Sequence, residues 1–419
     1  MSVATEETHD TQDRHSATTL GGITRDYLAK LRGGDVGSLP AILGLVGLTI
    51  TFSLLRPETF TKAFNFGNLI QQSAGVTIIA MGLVFVLLLG EIDLSAGYTG
   101  GTAAAVMCLL LTKHDWPVPL AILVCLATGA VIGAGIGLLV ARLGIPSFVV
   151  TLAAWLGLQG VMLTIIGEKG SIDSGEFVAK LNSENLPVWL GWVVAVALVG
   201  LYATSTFLSN RRRRRHGLTS QPTLLWALKS GFLAVIAFLV VFYLSIERSP
   251  NAHIKSIKGL PISLLILIGL TLVLGALLSR TKWGSHVYAV GGNAEAARRA
   301  GINVAMVKLS CFVLSSTVAA IGGIMLVSYS GGANNVTGGT TTLLYAVGAA
   351  VIGGTSLFGG KGRVVDALIG GTVIAMVANG MGLLNQPDRT KYIVTGLVLL
   401  VAASVDAISR SRAAATGRV

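Results

Sequence analysis

Residues 74–97 read AGVTIIAMGLVFVLLLGEIDLSAG, an uncharged apolar run that ends in a glycine, two carboxylates and a serine. Extended back to residue 68, the run reaches the length of about 20 apolar residues that a helix needs to cross a membrane. Lipid offers the backbone no hydrogen-bond partner, so a helix is the structure that such a run adopts there. The stretch therefore predicts a transmembrane helix over 68–90 that breaks at a polar junction.

The whole chain of 419 residues has the composition of a membrane protein. Hydrophobic residues make up 53% of it and charged residues only 12%, whereas roughly a quarter of the residues of a soluble protein are charged. Its mean hydropathy is +0.74. The 53 glycines suit helices that pack backbone against backbone. This composition argues against a soluble enzyme.

Twelve stretches are apolar enough, or nearly so, to span a membrane. The predicted fold class is therefore all-α, a polytopic integral membrane protein of about twelve transmembrane helices, or about 10 to 12 if short segments are re-entrant or interfacial. The stretches are 39–55, 68–90, 95–112, 118–141, 148–167, 187–209, 224–246, 260–279, 304–328, 342–358, 363–384 and 392–408, of which 39–55, 95–112, 342–358 and 392–408 are the short or glycine-broken ones.

The lysines and arginines predict the orientation, because they are held on the cytoplasmic side of short loops. With the N-terminus inside, twenty of the 31 lysines and arginines lie on the cytoplasmic side and ten on the other. This bias predicts that both termini are cytoplasmic. It divides the chain into a cytoplasmic polar tail (1–38), a transmembrane domain (39–408) and a second cytoplasmic tail (409–419), and it explains most of the net charge of +12.

Five consecutive arginines, Arg211 to Arg215, contribute most to this asymmetry. They fall in a predicted arginine-rich loop, 210–223, between the sixth and seventh spans. One interpretation is a nucleic-acid-binding patch, and the other is a topogenic anchor that contacts anionic headgroups. Because apolar spans flank the run on both sides, we favour the anchor and expect no nucleic-acid partner.

The sequence carries no pattern typical of catalysis. The six histidines are scattered, with no second ligand at the spacing of a metal site. The Gly-Lys pair at 360–361 is followed by glycine rather than serine or threonine, so the phosphate-loop pattern fails. Gly129, Gly133 and Gly137 are spaced for packing against a neighbouring helix. We therefore expect no enzyme activity, no catalytic residue and no metal site in this chain.

Glu91 and Asp93 interrupt the apolar sequence at the end of the second span. A charge at bilayer depth costs about 2.5–3.5 kcal/mol, so such carboxylates normally face a partner, water or a transport pathway. Alternatively, the junction lies at the cytoplasmic surface, where two acids beside a helix that begins at Ser95 merely cap it. Both interpretations stay open, and both describe a broken, glycine-flexed element.

The segment 280–303 is a long polar connection between two spans. Gly291 and Gly292 are a turn signal, Asn293 is a helix-capping residue, and Ala294 to Ala300 strongly favours helix before a glycine ends it. A short helix is therefore expected at the cytoplasmic surface. It could lie flat on the lipid, or it could be an exposed docking helix for a cytoplasmic partner.

A second apolar span dissolves into glycines at 351–363. It matches the junction after the second span at three positions of eight, pairing Gly90 with Gly353, Leu94 with Leu357 and Gly97 with Gly360. These matches are weak evidence for an internal repeat. Paired glycine-interrupted spans in two halves of a chain are nevertheless the pattern expected where a transport pathway passes.

Three ordered motifs together resemble the membrane permease of bacterial sugar ABC importers. The motifs are GEIDLSAG at 90–97, YAVGGNAEAARRAGINV at 288–304 and VIGGTSLFGG at 351–360. The chain is similar to the ribose, xylose and arabinose group, and most similar to the D-xylose permease type, from about residue 65 to the C-terminus. Glu91, where the ribose type has glycine, and the extra region around 180–246 both favour the xylose type.

The resemblance implies a bacterial inner-membrane protein that pairs with a second permease copy, a cytoplasmic ABC ATPase and a periplasmic sugar-binding protein. It implies no cofactor in this chain, since ATP and Mg²⁺ are used by the ATPase. The family's ATPase-contacting coupling helix falls on Gly291 to Gly301, within the coupling segment 280–303, where Glu295, Ala296, Ala297 and Gly301 reproduce the E-A-A-x-x-x-G spacing of importers. The coupling residues so implied are Gly291, Gly292, Asn293, Glu295, Ala296, Ala297, Arg298 and Gly301.

The predicted function is the transmembrane subunit of an ATP-driven importer of a monosaccharide, D-xylose or a related pentose or hexose. A neutral sugar needs hydroxyl-bonding groups along its path, although each candidate could instead bond a neighbouring helix. The pathway candidates are Gln71, Gln72, Ser73, Glu91, Asp93, Thr355 and Asn379, with Gln159, Trp155 and Tyr345 beside them. Candidates for contact with the binding protein, in the most acidic exposed loop, are Glu168, Asp173, Glu176 and Glu184.

Two other classes are weighed against this function. An ion-coupled secondary sugar transporter could also have twelve spans with a basic central loop, but carboxylates within the spans are scarce and the Ala-Glu-Ala-Ala helix would have no task. A membrane-embedded enzyme would need a cluster of histidines or carboxylates on one face, which the sequence does not offer.

Overall fold

The long apolar runs fold into α-helices, in which an apolar segment satisfies its own backbone hydrogen bonds. The computed structural model describes residues 37–218, 220–249, 251, 253 and 256–415. In chain order its helices are α1 (Leu39–Leu55), α2 (Pro57–Phe60), α3 (Ala63–Leu88), α4 (Ala96–Lys113), α5 (Val118–Ala141), α6 (Ser147–Ile166), α7 (Glu176–Ser183), α8 (Val188–Arg215), α9 (Thr223–Ser245), α10 (Ile262–Arg280), α11 (Lys282–Gly292), α12 (Ala294–Arg299), α13 (Val304–Ser330), α14 (Thr340–Gly353), α15 (Val364–Leu383) and α16 (Asp388–Ala415).

A short 3₁₀ turn and two short strands complete the described secondary structure. The turn is Gly167–Lys169, and the strands are β1 (Ser171–Asp173) and β2 (Gly332–Asn334). The strands pair antiparallel, with Ile172 opposite Ala333. Most of the predicted N-terminal tail, residues 1–36, lies outside the described residues, as does the C-terminal end, 416–419.

The chain forms two compact units. The larger unit comprises Gly37–Glu184 and Pro261–Asp406, and the smaller contains Asn185–Leu260 together with the chain ends. In the larger unit, α3 and α13 are buried over most of their length. A Cβ at Gly75 in α3 would lie 3.0 Å from the carbonyl oxygen of Gly322 in α13, so these two central helices touch through backbone.

The small-residue stripe of α5 packs against α13. A Cβ at Gly129 would lie 2.6 Å from the Ser316 carbonyl oxygen, and one at Gly133 would lie 2.5 Å from that of Phe312. At Gly137 it would meet Leu309 at 2.8 Å. The predicted packing role of these three glycines is confirmed.

Every predicted span overlaps a helix, and the all-α polytopic fold class is confirmed. Among the described residues, eight helices are long and apolar enough to cross a membrane, namely α3, α5, α6, α8, α9, α10, α13 and α15. α1 and α14 are shorter apolar helices. Helix ends differ from the predicted span ends by several residues: α14 ends at Gly353, where glycines turn the chain, and α16 runs from Asp388 to Ala415, past the predicted span end at 408.

The smaller unit is built on a hairpin of α8 and α9. Contrary to prediction, the arginines Arg211 to Arg215 are not in a loop, because α8 continues through all five of them. Arginine is a good helix former, and cations at a helix C-terminus interact favourably with the helix dipole. The loop of the predicted segment 210–223 is therefore reduced to the residues between α8 and α9.

The opposite end of the hairpin is closed by hydrogen bonds to two adjacent charged residues. The buried Arg248 donates from Nη2 to the Gly259 carbonyl at 2.7 Å and to Asn185 Oδ1 at 2.9 Å. Glu247 accepts from the Ser256 hydroxyl at 2.6 Å and from the Ile257 amide at 2.8 Å. These bonds, with that from the Ser256 side chain foremost, lower the pKa of Glu247 to about 2.

Candidate functional site

The two glycine-rich breaks of the sequence meet at one place, the glycine junction, formed by Leu88, Gly90, Gly291, Gly359 and Gly360. The Gly360 amide donates a hydrogen bond of 2.8 Å to the Leu88 carbonyl at the end of α3. A Cβ at Gly359 would lie 2.8 Å from the Gly291 carbonyl oxygen and 2.9 Å from the Gly90 nitrogen. Both Gly90 and Gly359 have a positive φ, +74° and +87°, which favours glycine there.

The coupling segment enters this junction at the end of α11. A Cβ on Gly291 would overlap the Leu88 carbonyl oxygen, whereas one on Gly292 would meet no described atom within 4 Å. The Tyr288 hydroxyl donates to the Gly362 carbonyl at 2.7 Å and so fastens α11 to the same loop. The predicted turn at Gly291 and Gly292 was wrong, because both are the last residues of α11.

The predicted short helix of the coupling segment is confirmed as α12. Asn293 Oδ1 accepts a hydrogen bond of 2.8 Å from the Ala296 amide, which is the expected N-cap. Gly301, at φ +84°, follows the helix end. Ala297 is the buried residue of α12, and the exposed Glu295 pairs with Arg298 at 2.9 Å and with Arg299. A thin, charged helix therefore faces outward from the glycine junction.

Sequence reasoning missed the other helix of the coupling segment, α11. The sequence offered one signal for it, because Thr281 is a residue type that caps helices. In the structure Thr281 Oγ1 accepts a hydrogen bond of 3.0 Å from the Gly284 amide. Gly284 and Gly291 argued against a helix there, because glycine disfavours helix interiors. At Gly284 a Cβ would overlap the Leu278 carbonyl, so tertiary packing overrides the propensity.

The two carboxylates between α3 and α4 are both engaged. Glu91 forms an ion pair with Lys308 of α13, and the side chains are 16% and 25% exposed. Asp93 is buried, and its Oδ1 accepts from the Ser95 amide at 2.9 Å and from the Ser95 hydroxyl at 2.6 Å. Asp93, rather than Ser95, therefore supplies the acceptor at the start of α4.

Lys308 also lines a cleft beside α12. The cleft has a volume of about 350 Å³ and lies between the end of α5 and the start of α13. Arg298 and Asn303 contribute polar groups to it. The Glu91–Lys308 ion pair thus borders the surface from which the coupling segment projects.

At the opposite end of α3 lies the amide cavity, with a volume of about 490 Å³ between α3 and α15. Gln72 Oε1 and Asn379 Oδ1 are buried and form no hydrogen bond within the described part of the chain. Gln72 and Asn379 line the cavity together with Asn65 and Asn68, so four amide side chains border it, and such groups can hydrogen-bond a ligand that carries hydroxyl groups. Its lining residues are Thr59, Lys62, Phe64, Asn65, Asn68, Gln72, Ala378, Asn379, Gly382, Leu383 and Lys391.

Sequence reasoning picked out two of these residues, Gln72 and Asn379, and missed Asn65 and Asn68. The missed signal was the spacing, because positions 65, 68 and 72 fall on one face of a helix. Asn65 is positioned by its own Nδ2, which donates to the Phe60 carbonyl at 3.1 Å.

The remaining pathway candidates do not join the amide cavity. Ser73 donates to the Ile70 carbonyl within α3, and the Gln71 carbonyl accepts from Asn182. Thr355 lies buried near Gly362 beyond α14. Other candidates have partners elsewhere: the Gln159 side chain bonds Tyr98, which also contacts the Trp155 ring at 5.9 Å, and Tyr345 bonds Thr395.

The acidic candidates for protein contact lie on a cap between α6 and α8. β1 pairs with β2, and α7 packs through the fully buried Val178. Asn182 donates to the Gln71 carbonyl at 3.1 Å and ties the cap to α3. Glu168, Asp173 and Glu176 are exposed on this cap, and Glu184, just after α7, is half-buried.

Comparison with known proteins places this arrangement in a family. A model described as branched-chain amino acid transport system, permease component, matches residues 65–403. The xylose transport system permease protein of Escherichia coli K12 is 32% identical over 371 residues, which are 88% of this chain and 92% of that protein. No solved structure was found to match the chain.

Two further relatives match a similar share of this chain. The ribose import permease protein of Escherichia coli K12 is 31% identical over 386 residues, 91% of this chain and 96% of that protein. The fructose import permease protein of Rhizobium meliloti is 27% identical over 380 residues, 90% of this chain and 88% of that protein. These proteins are transport components rather than enzymes. Their similarity to this chain argues against the alternative of an ion-coupled secondary transporter. The chain belongs to this permease family and is a membrane-spanning ABC sugar permease of the xylose and ribose type.

Proposed function

We propose that this chain is the transmembrane subunit of an ATP-driven importer that carries a monosaccharide inward. The observation that carries the proposal is the contact of the coupling segment with the end of α3 at the glycine junction. Through Gly291, any force on α11 and α12 acts directly on Leu88 and Gly360. Such a contact between a surface helix and a central membrane helix suits a pathway switched from outside the chain.

A cytoplasmic ABC ATPase supplies that force by docking on α12. Ala296 and Ala297 keep the helix thin enough to enter a groove, while Glu295 and Arg298 offer polar contacts at its rim. ATP and Mg²⁺ are used by the ATPase, and this chain contributes no catalytic group and binds no cofactor. In this proposal the chain lies in the bacterial inner membrane, with α12 and both termini in the cytoplasm, in agreement with the distribution of lysines and arginines.

The amide cavity supports a sugar as the cargo. Among its lining residues none is acidic, and a zwitterionic amino acid would need a carboxylate partner for its ammonium group. Sugar hydroxyl groups can hydrogen-bond to the amide side chains that line the cavity, and Phe64 offers a ring face. The xylose, ribose and fructose permeases among its relatives agree with a monosaccharide, and the xylose permease favours D-xylose or a related pentose or hexose.

The partners on the other side of the membrane follow from the same topology. A periplasmic sugar-binding protein delivers the sugar to the acidic cap, with Glu168, Asp173 and Glu176 exposed to it. A second copy of this permease completes the pathway, so that two α12 helices meet two ATPase domains.

Co-purification with the ATPase of the same importer tests the proposal. Wild type and Glu176→Lys should retain the ATPase, and Glu295→Lys should lose it. The two substitutions are matched, because each reverses an exposed acid that is ion-paired within its own helix. Retention of the ATPase by Glu295→Lys, or uptake that survives ATP depletion and stops with a proton uncoupler, would contradict the proposal.

A further inference from the structure

Most of the surface of the α8–α9 hairpin in the smaller unit consists of apolar side chains that the hairpin itself does not cover. In the most apolar 18-residue stretch of each helix, only 11% of the residues of α8 and 6% of those of α9 are buried. Leu201, Phe232 and Leu239 are among the large apolar side chains that it leaves exposed. In a membrane such surfaces are covered by lipid acyl chains.

The hairpin also carries a charge that nothing within it balances. Residues 185–246 contain the five arginines and Lys229 and no aspartate or glutamate. Lys229 lies six residues into α9, about 9 Å along the helix from Thr223, within reach of the same end by extending its side chain. The arginine end of the hairpin therefore needs anions from outside the hairpin.

A small cavity opens at that end, the arginine cleft, with a volume of about 160 Å³. Arg211 and Arg214, one helical turn apart, are the arginines that line it. Arg212, Arg213 and Arg215 are not among its lining residues. The other lining residues are Phe207, Asn210, Gln221, Thr223 and Trp226.

Arg214 is held in place by the loop that follows it. Its Nε donates to the Ser220 hydroxyl at 2.9 Å, and its Nη2 donates to Thr223 Oγ1 at 3.2 Å and to the Gln221 carbonyl at 3.3 Å. Nη1 takes part in none of these bonds. A guanidinium fixed in this way loses little side-chain freedom when it binds an anion.

An aromatic pair forms the apolar wall of the cleft. The Trp226 ring lies 5.5 Å from the Phe207 ring, and its Nε1 donates to the Ala203 carbonyl at 3.1 Å. Tryptophan is enriched at the depth of lipid headgroups. The cleft thus combines two arginines, two polar amides and a tryptophan at one end of a pair of apolar helices.

We propose that the arginine cleft binds the phosphate of an anionic phospholipid, with Arg211 and Arg214 as its ligands. The acyl chains lie along the exposed apolar surface below it, where Leu208 is 50% exposed and Leu224 is 56% exposed. The Arg211 guanidinium has no hydrogen-bond partner among the described residues, and that of Arg214 is held by its loop, so both can donate to the oxygens of a negatively charged phosphate. The site is independent of which sugar the permease carries.

Native mass spectrometry of the purified full chain tests this site. The probes are phosphatidylglycerol and phosphatidylethanolamine, each added to delipidated protein, and inorganic phosphate as a competitor. The test variant is Arg211→Gln/Arg214→Gln, and the matched control is Arg212→Gln/Arg213→Gln, which removes the same charge from the same helix. We expect the test variant to bind phosphatidylglycerol about tenfold more weakly, and the control to differ from wild type by less than twofold.

Three outcomes would overturn the proposal. Equal losses in the two variants would show general attraction by the arginine run rather than a site. Unchanged binding in the test variant would place the lipid elsewhere. Full displacement of the lipid by millimolar inorganic phosphate would show a site for the free ion instead. Circular dichroism and binding of the ATPase, both expected to match wild type, show that the variants are folded.

Discussion

The backbone amide of Gly360 donates a 2.8 Å hydrogen bond to the carbonyl oxygen of Leu88. This bond joins the last turn of α3 to the loop between α14 and α15, two elements more than 250 residues apart in the chain. Gly291 lies against both partners. The three segments therefore contact one another through backbone atoms, with no flexible side chain between them. Because such a contact cannot adjust by a change of rotamer, we expect the three segments to move together.

Adding one methyl group at this point should uncouple them. In Gly291→Ala the new Cβ would overlap the Leu88 carbonyl oxygen, and overpacking of this kind costs about 1–3 kcal/mol. We expect a lower thermal unfolding temperature in detergent and loss of ATP-driven uptake in proteoliposomes.

Gly292→Ala is the matched control for that substitution. Its Cβ would meet no described atom within 4 Å, so stability and uptake should stay close to wild type. If the two variants behave alike, the packing of Gly291 is not what links the coupling segment to α3.

The Glu91–Lys308 ion pair gives a second prediction, which separates its two possible roles. Glu91→Gln and Lys308→Met each leave a partly buried charge without its partner and should lower stability by about 1–3 kcal/mol. The double variant should lose less than the sum of the two, with a coupling of about 0.5–3 kcal/mol. Thermal unfolding of the four proteins measures this cycle.

The exchanged pair Glu91→Lys/Lys308→Glu then tests for a role in transport. If the pair only holds α13 to the start of α4, the exchange should restore stability and uptake together. Restored stability without uptake would identify Glu91 as part of the pathway.

The sequence predicted α12 and its cap well, since Asn293, the alanines and Gly301 act within one short stretch. It also located most membrane helices, whose apolar length is a local property. It misplaced the arginines outside α8, because five adjacent charges resemble a loop although arginine itself favours helix.

The candidate site could be predicted only in part. Gln72 and Asn379 were picked out as polar residues within spans, but nothing in the sequence shows that α3 and α15 bring them to one cavity. The sequence prediction also put Glu91 and Thr355 among the same pathway candidates. In the structure these two residues lie toward the other end of α3. Long-range packing decides which polar residues share a site.

The amide cavity yields a third prediction. Gln72→Leu/Asn379→Leu removes two acceptors for sugar hydroxyl groups, each worth about 1 kcal/mol, so uptake should fall roughly 30-fold. Gln159→Leu is the comparison, because that amide bonds Tyr98 away from the cavity. ATPase co-purification should be unaffected in both. Equal uptake by the double variant and Gln159→Leu would exclude the cavity from the pathway.

The last prediction concerns the loop around Glu247. Its hydrogen bonds lower the pKa from 4.5 to about 2, so the folded loop favours the ionised carboxylate. The stabilisation is complete above pH 4.5 and is lost as the pH falls from there toward about 2. After correction for intrinsic exchange, the protection of the Ser249 and Ile257 amides, which both donate to Glu247, should therefore decrease as the pH falls across that range.

Glu247→Gln serves as the reference for the pH dependence. Its amides should exchange at a faster rate that no longer changes with the ionisation of this residue, after correction for intrinsic exchange. A wild-type loop whose protection is constant down to pH 3 would contradict the assignment.

α3 connects the amide cavity to the glycine junction as one uninterrupted helix. From Gln72 to Leu88 its axis is roughly 24 Å long at 1.5 Å per residue. A tilt of about 10° around Leu88 would therefore move Gln72 by about 4 Å, more than the ~3 Å length of a hydrogen bond. α3 is in this sense a mechanical lever: a rotation small enough to leave the packing at its fulcrum intact is large enough to make or release a ligand contact at its far end.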